Sequence, residues 1–128
     1  MKRCLSLLLP VAAALVVLGC QNAVSSFRRS YMLATDLVYG GYVGYTNWYT
    51  LATNGATSAK LEQIETDRQK LKTLRQEFAA TVDLADQTVT AYQTNSAVKP
   101  MLNSIGTTLL SQSSNYVWLV KFITKGVR

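Results

Sequence analysis

The chain has 128 residues, with 13 Lys plus Arg against seven Asp plus Glu, two cysteines and no histidine. Without histidine it lacks the usual general base, the Ser-His-Asp and Cys-His nucleophile systems and the commonest metal ligand. The formal charge is +6, and +4 once Lys2 and Arg3 are removed with the export segment described next, which is below the level expected of a nucleic-acid-binding domain.

Met1-Lys2-Arg3 is a short basic opening, and Leu5 to Leu18 carries no charge. That is the profile of a signal peptide. The apolar run is at the lower edge of what spans a bilayer and is interrupted by Pro10, which argues against a permanent transmembrane anchor. The run ends in Val17-Leu18-Gly19-Cys20. These four residues resemble the lipobox of bacterial lipoproteins: an aliphatic residue, a tolerant position, a small residue, then the cysteine. Val17 stands where leucine is commoner. The resemblance covers the export segment and not the domain after it. It implies removal of residues 1–19, a diacylglyceryl group on the thiol of Cys20 and often a further acyl chain, such as palmitate, on the new amino terminus. Two or three chains, at about 0.8 kcal/mol per buried methylene, hold a protein on a membrane. By the sorting rules of Gram-negative bacteria, Gln21 in place of aspartate implies the periplasmic face of the outer membrane rather than the inner membrane.

Loss of residues 1–19 leaves 109 residues, enough for one domain, predicted at 26–128 behind a short polar tether at 20–25 that carries the lipid. Cys4 leaves with the signal and Cys20 is blocked, so no disulfide is expected. Arg28 and Arg29 either meet anionic headgroups, at roughly 1 kcal/mol each, or form a solvated first turn.

Ser25 or Ser26 offers an N-cap to a first helix, about 26–53, in which Phe27, Tyr31, Ala34, Val38, Gly41, Tyr45, Trp48 and Ala52 recur at spacings of three and four. The competing reading is a hairpin over Val38-Tyr39-Gly40-Gly41-Tyr42-Val43, because glycines weaken a helix and aromatic and β-branched residues flank the Gly-Gly pair. Asn54-Gly55 is a clear stop.

Ser58 opens a second helix, about 58–94, whose apolar stripe is Leu61, Ile64, Leu71, Leu74, Phe78, Val82, Ala85, Val89 and Tyr92. Its other face carries mixed charges, Asp67 among them, at spacings that suit solvated ion pairs. Asn95-Ser96 breaks the pattern, and Pro100 fits the first turn of a third helix, about 98–124, with Gly126 as its stop. The segment 116–123 is apolar nearly all round. It is therefore the most buried element, a pairing surface for a second copy, or a membrane-contacting surface. The predicted fold is an all-α antiparallel three-helix bundle.

Carboxylates are the remaining acid-base candidates. Asp83 with Asp86, and Glu62 with Glu65, would share a helix face, but one helix surface does not make the cleft that a paired-carboxylate mechanism needs. No catalytic residue, cofactor or metal is expected. The unusual constellation is aromatic and glycine-rich: Tyr39, Gly40, Tyr42, Gly44, Tyr45, Trp48 and Tyr49, joined by Trp118 and Phe122 in the third helix. Gly40 and Gly44, four apart, would admit a second backbone, and exposed Tyr and Trp suit interfaces. The alternative is that these rings fill the core. The expected function is a membrane-anchored, non-catalytic cell-envelope lipoprotein acting as a structural or protein-interaction module. Its expected partners are the membrane, through lipid on Cys20, and a protein, either foreign or a second copy; neither nucleic acid nor a small-molecule ligand is expected. The alternative function is a membrane-perturbing lipoprotein, of the kind that prophages encode beside lysis genes, acting through its apolar C-terminal helix.

Overall fold

Apolar side chains that recur every three and four residues can be buried together only along one stripe of a helix, and three such stripes organise this chain. The computed structural model describes the backbone of residues 2–126 and the side chains of residues 23–126. The helices are α1, Lys2–Thr53; α2, Ser58–Tyr92; and α3, Lys99–Thr124, with a single 3-10 turn at Ser96–Val98 before α3. They form the expected all-α three-helix bundle, and no strand occurs among the described residues. Phe27 of α1 lies against Gly106 of α3, and Gly41 against Tyr116, so α1 and α3 run in the same direction. The intervening α2 runs opposite to both, with Tyr92 packed in one cluster with Ala23 and Leu102, and Leu71 in another with Tyr45 and Ile123.

The core follows a seven-residue repeat. On α2 it is Ile64, Leu71, Phe78, Ala85 and Tyr92, all buried; on α3 it is Leu102, Leu109, Tyr116 and Ile123, interleaved with Gly106, Ser113 and Val120. A repeat of seven keeps one seam facing its neighbours as the helices coil gently around each other. Two polar side chains in the seam bond to their own helix: Thr88 Oγ1 donates to Leu84 O at 2.8 Å and Ser113 Oγ to Leu110 O at 2.9 Å. α3 packs along both other helices, while α1 and α2 meet only sparsely. This central position buries part of its apolar C-terminal half, with Tyr116, Val120 and Ile123 packed among residues of both neighbours, and leaves Trp118 and Phe122 exposed.

Several local expectations change. The first helix does not start at Ser25 or Ser26, since the chain is already helical there and Ala23 is buried with Val24 packed beside it. From Ala23 onward, the stretch read as a tether therefore belongs to the bundle. Ala23 stands four residues before Phe27 and extends the apolar stripe by a turn. The side chains of the signal segment, and that of Cys20, lie outside the described residues. The Val38–Val43 hairpin does not form; the helix passes straight through it. The cap of α2 is Thr57 rather than Ser58, with Thr57 Oγ1 accepting from the Lys60 amide at 3.4 Å. Asp67 is not on the solvated face. It occupies a seam position between Ile64 and Leu71, is 3 % exposed, and accepts from Gln63 Nε2 at 3.3 Å with Lys70 Nζ at 4.0 Å. Leu61, assigned to the stripe, is exposed. The stops are where they were expected: Gly55 and Gly126 have φ of +71° and +64°, the left-handed conformation that glycine adopts without strain, and Pro100 lies in the first turn of α3.

Candidate interaction surface

Gly40, Gly41 and Gly44 of α1 divide into two kinds. A β-carbon on Gly41 would lie 3.0 Å from Tyr116 Cε1, so this glycine exists for the close approach of α1 to α3. Gly40 and Gly44 have open space beside them instead. They form part of the floor of a groove of about 460 Å³ between α1 and α3, with Leu37 and Val117 as apolar walls and Asp36 and Lys121 at its rim. The pair four residues apart lies open to this groove, while the glycine between them serves the core.

Trp118 borders the same face, sharing a smaller hollow with Leu37, Val117 and Lys121. It is 65 % exposed and stacks on Phe122, itself 37 % exposed, with ring centroids 5.5 Å apart and planes at 15°. A large indole held flat against a second ring and open to water is costly to leave uncovered and has little conformational freedom left to lose on binding.

The other aromatic residues of α1 separate. Tyr39 is exposed and points away from the bundle, and Tyr42 lies beneath the Arg75 guanidinium of α2, 4.5 Å from ring centroid to Cζ. Such a cation–π contact ties α1 to α2 where little else does. Tyr45 is buried, so its place on an exposed surface is corrected: it sits in the core, tilted against Trp48 and Tyr49 at centroid distances of 5.7 Å and 6.0 Å, and those two are half-buried. Burial pushes the Tyr45 phenol up to about 12, helped by the neighbouring Tyr49, and burial raises Tyr116 as well. Of the nine residues picked from sequence, Gly40 and Gly44 line the α1–α3 groove, Trp118 borders it, and Phe122 is joined to them only through its stack on Trp118. Tyr39, Tyr42, Tyr45, Trp48 and Tyr49 do not join them.

Sequence reasoning missed Leu37, which lines both the groove and the hollow. The signal was present, because Leu33, Leu37, Gly40, Gly44 and Leu51 repeat at spacings of three, four and seven beside the core stripe. A second stripe of small and apolar residues flanking the first marks an additional packing face.

Asp83 and Asp86 are exposed on α2. Glu65 is clamped by Arg68, with both guanidinium contacts at 2.7 Å, and by Gln69 Nε2 at 2.7 Å. Those hydrogen bonds hold its carboxyl at about 2. Among the described residues no three acidic or thiol side chains gather as metal ligands would, and no helix is long and apolar enough to cross a membrane. The chain matches no protein-family model, no curated protein and no solved structure.

Proposed function

We propose that this chain is a lipid-anchored, non-catalytic protein of the bacterial cell envelope that binds another protein through the α1–α3 face. The anchor reading is supported by the charge-free run and the lipobox-like Val17-Leu18-Gly19-Cys20; Gln21 favours the periplasmic face of an outer membrane. The binding reading is carried by one observation, the exposed Trp118–Phe122 stack beside the open groove at Gly40 and Gly44.

The direction of the helices weighs against the alternative, a membrane-perturbing protein acting through its C-terminal helix. Tyr116 and Val117 lie level with Gly41, some 21 residues along α1 from Cys20, or roughly 30 Å at 1.5 Å per residue. A bundle rising from its anchor carries Trp118 away from the bilayer, toward whatever stands opposite.

The test is site-specific photo-crosslinking in the native envelope, with the probe at Trp118 and, as a buried control, at Tyr45. A discrete adduct from Trp118 alone is expected, and its mass separates a foreign partner from a second copy. No adduct from Trp118 or Phe122 would overturn the binding reading. Incorporation of a labelled fatty acid, abolished by Cys20→Ala, is the expected sign of the anchor.

A further inference from the structure

The end of the bundle nearest Cys20 has a different chemistry from the rest. Where α1 passes the end of α2, Val24, Arg28, Arg29 and Met32 meet Tyr92 and Gln93 around a cleft of about 640 Å³. Arg28 and Arg29 are exposed, and neither takes part in an ion pair with a described residue; the pairs that form are Glu65–Arg68 and Asp67–Lys70, both on α2. Lys99, at the start of α3, adds a third cation at this end. The chain has seven carboxylate side chains, none before Asp36 and none after Asp86. The residues lining the cleft therefore include two positive charges and no acidic side chain, and the nearest carboxylates, Asp36 one turn beyond Met32 on α1 and Asp86 two turns before Gln93 on α2, lie on the side away from Cys20.

A merely solvated surface mixes its signs, as α2 does. Here cations are segregated and interspersed with exposed apolar side chains, Met32 at 64 % and Met101 at 46 %. Guanidinium groups beside flexible apolar chains match a phosphate beside hydrocarbon, since Arg grips phosphate oxygens through paired N–H donors and Met adapts to irregular apolar surfaces. The same helix runs from Cys20 through Val24 to Arg29 without a break, which spaces these residues roughly 6 Å to 14 Å along the axis from the anchor point.

We propose that this cleft binds the phosphate of an anionic phospholipid in the membrane that holds the anchor. Arg28 and Arg29 take the phosphate, Val24 and Tyr92, on the anchor side of them, take the glycerol and the first part of the acyl chains, and Met32 closes the cleft on the far side. The inference rests on the anchor reading only insofar as lipid on Cys20 brings a bilayer to this end of the molecule.

Native mass spectrometry of the full chain, extracted from membranes in mild detergent, tests it. Phosphatidylglycerol, phosphatidylcholine or inorganic phosphate is added, and the mass of the chain itself reports whether it was cut before Cys20 and acylated. The expected result is one phosphatidylglycerol per chain, weaker retention of phosphatidylcholine, and a roughly 30-fold loss for R28Q/R29Q, about fivefold per charge. K60Q/K125Q, at the opposite end, should retain the lipid as the parent does. Equal retention of the two lipids, or full retention by R28Q/R29Q, overturns the site. Arginine-dependent binding of inorganic phosphate as tight as that of phosphatidylglycerol overturns the lipid as its source. A chain of unprocessed mass that still takes phosphatidylglycerol through the arginines refutes the anchor and upholds the site.

Discussion

The Tyr116 ring lies so close to the Gly41 backbone that a β-carbon there would meet Cε1 at 3.0 Å and Cδ1 at 3.2 Å. Tyr116 is 1 % exposed and has no room to withdraw, being wedged among Tyr45, Leu71 and Val120. Gly41→Ala therefore sets a gain in helix propensity of about 1 kcal/mol against an overpacking cost of about 1–3 kcal/mol. The expected net effect is destabilisation by about 1 kcal/mol. Gly40→Ala and Gly44→Ala meet no such neighbour and should each stabilise by about 1 kcal/mol, since only the propensity gain remains. Urea unfolding of the three variants checks the contrast. Equal effects at all three positions would mean that α1 and α3 do not approach at Gly41.

A second prediction concerns alkaline pH. Tyr45 and Tyr116 have buried hydroxyls with no hydrogen-bond partner among the described residues, and burial raises both phenols, Tyr45 to about 12. In the unfolded chain such groups ionise near pH 10. Between about pH 10 and 12 the folded state keeps protons that the unfolded state has lost, so stability is fully present below pH 10 and falls as pH rises through this window. Thermal melts at pH 8, 10 and 11 should show the decline. Tyr45→Phe should make it shallower, and at pH 7 should leave stability equal or up to about 1 kcal/mol higher, because it removes a buried hydroxyl that gains nothing in return. A steeper alkaline decline in Tyr45→Phe would contradict the burial of that ring.

Much of this fold is legible because heptad-like spacing leaves little choice. Ile64, Leu71, Phe78, Ala85 and Tyr92 face one way on any α-helix, and the glycine and proline signals at Gly55, Pro100 and Gly126 act locally. Asp67 and the segment 38–45 were harder to read, each for a physical reason. Asp67 is polar yet holds a seam position, where position along the helix rather than side-chain type decides burial. Gly40, Gly41 and Gly44 weaken a helix in isolation, but tertiary contact with Tyr116 outweighs their propensity, so the hairpin alternative loses. Which aromatic rings are exposed depends on how far α3 inserts between α1 and α2, and no single helix stripe contains that information. For the same reason Tyr45 and Trp118 look alike in sequence and have opposite roles in the fold.

That difference gives the last prediction. Leu109, fully buried, and Trp118, largely exposed, lie on the same helix nine residues apart. Leu109→Ala opens a cavity in a packed seam and should cost about 2–5 kcal/mol. Trp118→Ala removes a ring whose main described neighbour is Phe122, so it should cost about 1 kcal/mol or less. Binding should show the reverse order. With a photo-probe at Leu37, which lines the hollow beside Trp118, Trp118→Ala should lose the crosslinked adduct while the protein melts near the parent temperature. Leu109→Ala should melt earlier yet retain the adduct at temperatures where it remains folded. If Trp118→Ala instead lost several kcal/mol, the indole would be a structural element of α3, and the α1–α3 face would no longer stand out as a surface kept open for a partner.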